Sequence, residues 1–118
     1  MIHSKHRFHG RSSLRFVYQK GSTVRADAPL ALRYVQNSRQ PSWRLAVVVS
    51  RKVSKAAVVR NRIRRRVFEI VRRESGRILP HYDLVFTVYG AELATLDHIE
   101  LERAVLAELE KAGVLNRA

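Results

Sequence analysis

The sequence predicts an α/β fold of the α+β type, a two-layer sandwich in which helices pack on a small central sheet. Apolar runs of strand length, alternating or continuous, occupy 30–35, 43–50 and 83–90. Stretches with helical apolar periodicity occupy about 12–21, 56–74 and 98–112. The order of these elements is α-β-β-α-β-α, and helices of this size need a sheet on which to bury their apolar stripes.

Length and composition limit the class of protein. The chain has 118 residues, so we predict a single domain over residues 1–118. It contains no cysteine, which excludes a disulfide scaffold and cysteine–zinc sites. No apolar run reaches the roughly 18 residues that span a membrane, and the N-terminus lacks the apolar stretch of a secretory signal. We therefore expect a cytoplasmic protein without a membrane partner.

The charge is strongly positive and unevenly distributed. The chain carries 23 Lys and Arg against 10 Asp and Glu, a net charge of +13. Such an excess indicates a polyanionic partner, for which nucleic acid is the default. An anionic membrane surface would require a free apolar face, whereas the apolar residues here are assigned to a core. Residues 51–73 are rich in Lys and Arg and residues 97–110 are net acidic, so the polyanion is expected at the former.

The first predicted helix and the strand at 43–50, which precede the basic region, are predicted from short apolar patterns. Leu14, Val17 and Tyr18 share one face of the first predicted helix, and Gly21 ends it. Residues 43–50 are apolar on both faces, which predicts a central strand.

The segment 36–42, QNSRQPS, has the composition of a hairpin loop between the first two predicted strands. Tyr34 and Tyr89 each alternate with apolar neighbours, so either ring could face the core or an open side of the sheet.

The long central helix is predicted with Ser54 as its cap and Ser75–Gly76 as its end. On a helical wheel its core face consists of Val59, Ile63, Val67, Ile70 and Val71. An arginine at the border of this arc is held by its neighbours and can present a fixed fork to phosphate oxygens, whereas one on the outer face acts as diffuse charge. We assign to the positioned class Arg60, Asn61, Arg64 and Arg65. We assign to the long-range class Arg62, Arg66 and Arg73.

The segments on either side of this helix have separate predictions. Residues 50–55, SRKVSK, bring charge and backbone amides to the helix N-terminus, which indicates a phosphate site. In the last helix, Asp97 with Glu100 forms a capping-box pattern and Gly113 ends it. Its apolar stripe is Leu101, Val105, Leu109 and Ala112. Its solvated acidic face is expected to carry Glu100, Glu102, Glu108 and Glu110.

Residues 50–69, SRKVSKAAVVRNRIRRRVFE, resemble the protein component of bacterial ribonuclease P. That family carries an Arg-Asn-Arg motif on a helix after a strand that ends in Ser-(Lys/Arg)-Lys, and the order of elements agrees over most of the chain. The resemblance implies the ribosomal protein S5 domain 2-like fold, with a left-handed β-α-β crossover around the basic helix, against the usual hand.

The resemblance also implies a function. It implies the protein subunit of an endoribonuclease, a hydrolase whose RNA subunit carries out the magnesium-dependent removal of the 5′ leader from precursor tRNA. The expected partners are the catalytic RNA and precursor tRNA, with no obligate protein partner. Mg²⁺ is expected to be bound mainly by the RNA, so no residue of this chain is expected to be catalytic or to bind a metal.

The site residues implied by the resemblance form two groups. RNA binding is expected at the motif, at the basic pair before it and at nearby cations: Arg51, Lys52, Lys55, Arg60, Asn61, Arg62, Arg64, Arg65 and Arg72. A cleft for the single-stranded leader is expected between the first helix and the sheet, lined by Phe8, Leu14, Tyr18, Ala31 and Arg33. The sequence departs from the family pattern at Leu14, where Phe is frequent, and at Phe68, where a basic residue is frequent.

Other interpretations of the sequence carry less weight. His3, His6 and His9 could bind a metal if they lay on a helix, but no carboxylate nearby would orient them, which favours RNA contact or no role. A ribosomal or assembly protein that only scaffolds RNA would share the composition but would need no groove for a single strand. A DNA-binding regulator would need a second helix packed as helix-turn-helix, whereas strands flank this basic helix.

Overall fold

The computed structural model describes residue 8 and residues 11–116. Its elements in chain order are α1 (Arg11–Lys20), β1 (Ser22–Arg25), β2 (Leu30–Gln36), β3 (Arg44–Val49), α2 (Ala57–Arg73), β4 (Tyr82–Val88), a 3₁₀ helix (Ala91–Ala94) and α3 (His98–Ala112). The predicted α+β class and order are confirmed, with one strand more than expected. That strand, β1, has four residues of which only Val24 is partly buried, so it carries no periodic apolar signal.

The four strands form one sheet in the order β1-β2-β4-β3. β1 pairs antiparallel with β2 and β2 antiparallel with β4, whereas β3 and β4 are parallel neighbours joined through α2. The parallel β-α-β unit is therefore present, and its left hand stays a prediction.

Two predictions about the sheet are wrong. β3 is an edge strand rather than a central one, and residues 36–42 do not form a hairpin loop because β4 lies between β2 and β3. The apolar composition of β3 has a different cause. Leu45, Val47 and Val49 are buried in the main core, while Ala46 and Val48 lie half-buried on the opposite face. Burial on both faces therefore does not require neighbours at both edges.

The two faces of the sheet carry different helices. The core face packs on α2 and α3, where Leu32, Phe86, Ile63 and Leu101 belong to one buried cluster. We call the opposite face the cleft face. Cross-strand register and side-chain alternation place on it, among others, Arg25, Ala31, Arg33, Arg44, Val48, Asp83, Thr87 and Tyr89.

Helix α1 lies on the cleft face. It contacts β2 and β4, its Val17 side chain is fully buried, and the Arg33 guanidinium of β2 donates to the Val17 carbonyl at 3.1 Å. Gly21 follows α1 directly, as predicted. A β-carbon there would lie 2.4 Å from the Val17 carbonyl oxygen and 2.9 Å from that of Tyr34, so the chain passes too close to β2 for any side chain.

The helix ends match the predictions only in part. In α3 the Asp97 carboxylate accepts from the Ile99 amide at 3.2 Å, and Gly113 adopts the left-handed conformation with φ 72°. In α2 the capping residue is Ala56, which supplies no side-chain acceptor, so the prediction of Ser54 as the cap is wrong. Ser54 lies two residues too early, and its hydroxyl accepts from the Ala56 amide at 3.2 Å within the preceding turn.

Glu108 also differs from the prediction. It was expected on the solvated face of α3, yet its side chain is fully buried. The residue lies at the edge of the apolar stripe, next to Leu109 and one turn after Ala104, so it turns inward with them. Neither carboxylate oxygen has a hydrogen-bond partner of good geometry among the described residues. Within the described part of the chain no helix is long and apolar enough to cross a membrane.

Candidate nucleic-acid interface

The basic surface is built on α2 and on the turn before it. We use this name for Arg51, Lys52, Lys55, Arg60, Asn61, Arg62, Arg64, Arg65 and Arg72. Ile63, Val67, Ile70 and Val71 are buried against the sheet, which fixes the rotation of α2 about its axis. The cationic residues therefore cover the remaining sides of the helix, and the structure brings the predicted RNA-binding residues together on one element and its approach.

Arg60 anchors the turn before α2. Its Nη1 donates to the Ser54 carbonyl at 2.9 Å and to the Lys55 carbonyl at 3.0 Å. The exposed side chains of Arg51 and Lys52 stand at the start of this turn, and the Val53 amide closes it on the Ser50 carbonyl at 3.1 Å. Exposed cations thus meet the positive end of the α2 dipole, where the first turn holds no acidic residue.

Arg64 is held by the asparagine of the motif. The Asn61 side-chain oxygen accepts a hydrogen bond from Nη2 of Arg64, one turn along the helix. Both side chains are half-buried, whereas Arg65 is exposed. Three members of the positioned class therefore have defined contacts within the chain, and Arg65 lies outward.

The assignment of Arg66 to the long-range class is wrong. Arg66 is half-buried, and its guanidinium donates to the carbonyl oxygens of Leu93, at 2.6 Å, and Leu96. Arg66 follows Ile63 by three positions and precedes Ile70 by four, so it borders the buried arc and reaches the neighbouring 3₁₀ helix. Arg73 also turns toward α3, where it lies 4.0 Å from the Glu102 carboxylate.

Arg72 forms a surface ion pair at the end of α2. Its Nη2 lies 2.9 Å from the Glu69 carboxylate, and both side chains are nearly half exposed. The hydrogen bond between them lowers the pKa of Glu69 and raises the pKa of Arg72. An exposed pair of this kind adds little stability, so phosphate could displace Glu69 from Arg72 at small cost.

The predicted cleft residues lie near one another but have unequal exposure. Tyr18 is 45% exposed and Leu14 is half-buried on α1, so the aromatic ring is open to a ligand. Ala31 is buried on β2, the strand that α1 contacts. Arg33 binds the end of α1, where its guanidinium donates to the Val17 and Tyr18 carbonyls and to the Thr23 hydroxyl. Arg33 thus holds α1 on the sheet, and the predicted contacts of Ala31 and Arg33 with a leader stay predictions.

One end of the cleft face carries a buried ion pair. Arg44 donates from Nε to Oδ1 of Asp83 and from Nη2 to Oδ2, both at 2.8 Å. Asn37 adds a third hydrogen bond to the same carboxylate at 2.9 Å. The Phe8 ring lies 4.7 Å from the Arg44 guanidinium carbon, a cation–π contact. Phe8 therefore lies at this end of the cleft face, and its contact with a leader stays a prediction.

The other end carries a pair that the sequence did not reveal. The Arg25 guanidinium carbon lies 5.0 Å from the centre of the Tyr89 ring, and Tyr89 is 55% exposed. The structure thus resolves the open alternatives. Tyr89 lies on the cleft face, whereas Tyr34 packs against the core cluster. Because β1 lacked a recognisable pattern, nothing in the sequence placed Arg25 beside Tyr89.

Other candidates are limited by what is described. His3, His6 and His9 lie outside the described residues. Within residues 8 and 11–116, no group of three or more His, Cys, Asp or Glu could hold a metal ion. Phe16 of α1 is 36% exposed. Helical spacing places it on the opposite side of α1 from Leu14 and Tyr18. An aromatic residue outside the apolar face of a helix is visible in the sequence, but Phe16 was not among the predicted cleft residues.

Comparison with known proteins supports the same family. The family model described as Ribonuclease P matches residues 2–113. The ribonuclease P protein component of Geobacillus sp. (strain WCH70) is 30% identical over 113 residues, covering 96% of this chain and 95% of that protein. The ribonuclease P protein component of Synechococcus sp. (strain JA-2-3B'a(2-13)) is 36% identical over 119 residues, covering 98% of this chain and 87% of that protein.

Solved structures agree in fold. The RNase P protein of Staphylococcus aureus has a TM-score of 0.81 at 22% identity and covers 94% of this chain and 98% of its own. The RNase P protein of Thermotoga maritima has a TM-score of 0.76 at 26% identity, and the match covers 89% of this chain and 96% of that protein. The family match over nearly the whole chain, together with the basic helix after a parallel edge strand, decides the assignment. The chain belongs to the ribonuclease P protein family, the protein subunit of the endoribonuclease that removes the 5′ leader of precursor tRNA and whose catalysis resides in RNA.

Proposed function

We propose that the basic surface binds phosphates of the ribonuclease P RNA while the cleft face and α1 hold the single-stranded leader of precursor tRNA. The arrangement at the start of α2 carries the proposal. There, Arg60 and Arg64 are held by contacts within the chain beside the exposed Arg51 and Lys52. Preorganised guanidinium groups lose less conformational entropy when they bind phosphate than mobile ones do.

The cleft face suits a single strand in length and in chemistry. From Asp83 to Tyr89 it extends about 20 Å, at roughly 3.3 Å per residue. Aromatic rings stand at both ends, at Phe8 and Tyr89, and Tyr18 adds an exposed ring on the helix. Bases of any sequence can stack on such rings. A protein that only scaffolds RNA needs no such series of aromatic rings along a sheet face, so this feature favours leader binding over the scaffold alternative.

The chemistry of cleavage is proposed to lie outside this chain. Asp83, a carboxylate on the cleft face, is bound by Arg44 and Asn37, so it does not fit a magnesium site. We propose that Mg²⁺ is held mainly by the RNA components and that the chain neutralises phosphates around them. We further propose that the protein works in the cytoplasm, with the catalytic RNA and precursor tRNA as its partners and with no membrane and no obligate protein partner.

The first test is 5′-leader cleavage of a precursor tRNA by a bacterial ribonuclease P RNA at low magnesium, with and without this protein. We expect cleavage only when the RNA and the protein are both present. The protein supplies positive charge that Mg²⁺ would otherwise supply only at a higher magnesium concentration. Tight RNA binding without rescue, repeated with the cognate RNA, would contradict the proposal and favour a scaffold.

A further inference from the structure

Arg66 is a cation of α2 whose side chain turns toward the segment between β4 and α3. Its two terminal nitrogens donate to the Leu93 and Leu96 carbonyls. Leu93 belongs to the 3₁₀ helix, and Leu96 directly precedes the α3 cap Asp97. Carbonyls at the end of a helix lack an intrahelical partner. Arg66 supplies a partner for the Leu93 carbonyl at the end of the 3₁₀ helix. Through the Leu96 carbonyl it also ties α2 to the segment that leads into α3.

This connection begins at the end of the cleft face. Tyr89 leads into it, and the Tyr89 amide donates to the Pro29 carbonyl at 2.7 Å. A β-carbon at Gly90 would lie 2.9 Å from Cγ of Pro29, so the chain is closely packed there. Farther along, the amides of Thr95 and Leu96 donate to the Glu92 carbonyl at 3.1 and 2.9 Å. The connection is therefore held at Pro29 on one side and at Arg66 on the other.

We propose that Arg66 is a positioning residue that couples the RNA-binding helix to the leader cleft. It acts through the 3₁₀ helix, fixes where Tyr89 and the adjoining Arg25 stand relative to the basic surface, and makes no phosphate contact itself. The inference rests on the proposed function. Its basis is geometric, because both terminal nitrogens of Arg66 donate to the Leu93 and Leu96 carbonyls, and helical spacing directs Arg66 away from the side of α2 that carries Arg60 and Arg64.

Salt dependence separates this role from that of a phosphate ligand. Arg62 is the matched control, since it lies on the same helix, carries the same charge and is exposed. We expect Arg62→Met to reduce the slope of log affinity for the catalytic RNA against log salt by about one. Arg66→Met should leave that slope unchanged. With a leader long enough to reach Tyr89, Arg66→Met should weaken precursor binding by about three- to tenfold, and with a one-nucleotide leader it should have no effect.

A second measurement needs no RNA and remains valid if the proposed function fails. Hydrogen exchange at the Thr95 and Leu96 amides of the free protein should accelerate in Arg66→Met and not in Arg62→Met. Arg66→Gln, which keeps an N–H donor without the charge, should restore part of the protection and of the leader-dependent affinity. A reduced salt slope in both Arg66→Met and Arg66→Gln, with equal losses for long and short leaders, would show that Arg66 contacts phosphate and would overturn the inference.

Discussion

Arg44 and Asp83 form a buried ion pair with two hydrogen bonds on the cleft face, both with N–O distances of 2.8 Å. The pair joins neighbouring parallel strands in register, since Arg44 is the cross-strand partner of Asp83. Because Asn37 also binds the carboxylate, the pair fixes the β2–β3 loop as well. It therefore anchors the edge strand from which the basic turn and α2 emerge.

Removing one partner of this pair should be costly. Asp83→Asn would leave the Arg44 charge buried without its counter-charge, and we expect the free energy of unfolding to fall by about 3–5 kcal/mol. Urea denaturation measures it. Glu69→Gln, which removes an exposed carboxylate paired with Arg72, is the control and should change stability far less, because solvent screens the exposed pair. Equal effects of the two substitutions would contradict the structural role of the buried pair.

Glu108 should make stability fall as the pH rises. Burial raises the pKa of this carboxyl from 4.5 to about 8, and the nearby Ala26 and Leu32 amides and the Arg25 and Lys111 charges offset this only in part. The folded state therefore binds a proton that the unfolded state releases between pH 4.5 and 8. The associated stability is complete below pH 4.5 and is lost as the pH rises toward 8.

The matched variant for this prediction is Glu108→Gln, which mimics the protonated acid. Each unit of pKa difference corresponds to roughly 1.4 kcal/mol, so the variant should be more stable than the wild type at pH 8 and similar to it near pH 4.5. Urea denaturation at several pH values measures the difference. A wild-type minus variant difference that does not change with pH would mean that Glu108 titrates normally.

The sequence predicted the elements better than their arrangement. Asp97 as the cap of α3 and Gly113 as its end were predicted from local signals, and both predictions are confirmed. The place of β3 at the sheet edge depends on β4, some forty residues away, and no local pattern encodes that pairing. β1 was not predicted because it has only four residues, which are mostly exposed. It is held in the sheet by its hydrogen bonds to β2 rather than by burial.

The predictions about the site divide in the same way, because local contacts were predictable and long-range contacts were not. The cluster of Arg60, Asn61 and Arg64 was predictable because a helix places neighbouring residues by a fixed geometry. The contacts of Arg66 and of Arg25 were not, since each reaches an element distant in sequence. Glu108 was misassigned because acidic residues are almost never fully buried unless paired, and this one is an exception in the described structure.

Asn61 and Arg64 should act as one unit in RNA binding. Asn61→Ala removes no charge, yet it releases the Arg64 guanidinium that its side-chain oxygen holds. We expect each single alanine variant to weaken affinity for the catalytic RNA, and the double variant to lose little more than Arg64→Ala alone. Binding titrations at one salt concentration measure this. Additive losses would show that Asn61 contacts the RNA independently of Arg64.

Tyr18 should contribute to leader binding through its ring rather than its hydroxyl. Tyr18 is 45% exposed on α1, and stacking of one base on an aromatic ring is worth about 1–3 kcal/mol. Tyr18→Ala should therefore weaken precursor tRNA binding by roughly 5- to 150-fold, while Tyr18→Phe should keep nearly the wild-type affinity. Because the leader is the proposed ligand, mature tRNA should bind all three proteins alike. A loss for mature tRNA as large as that for the precursor would place Tyr18 outside the leader site.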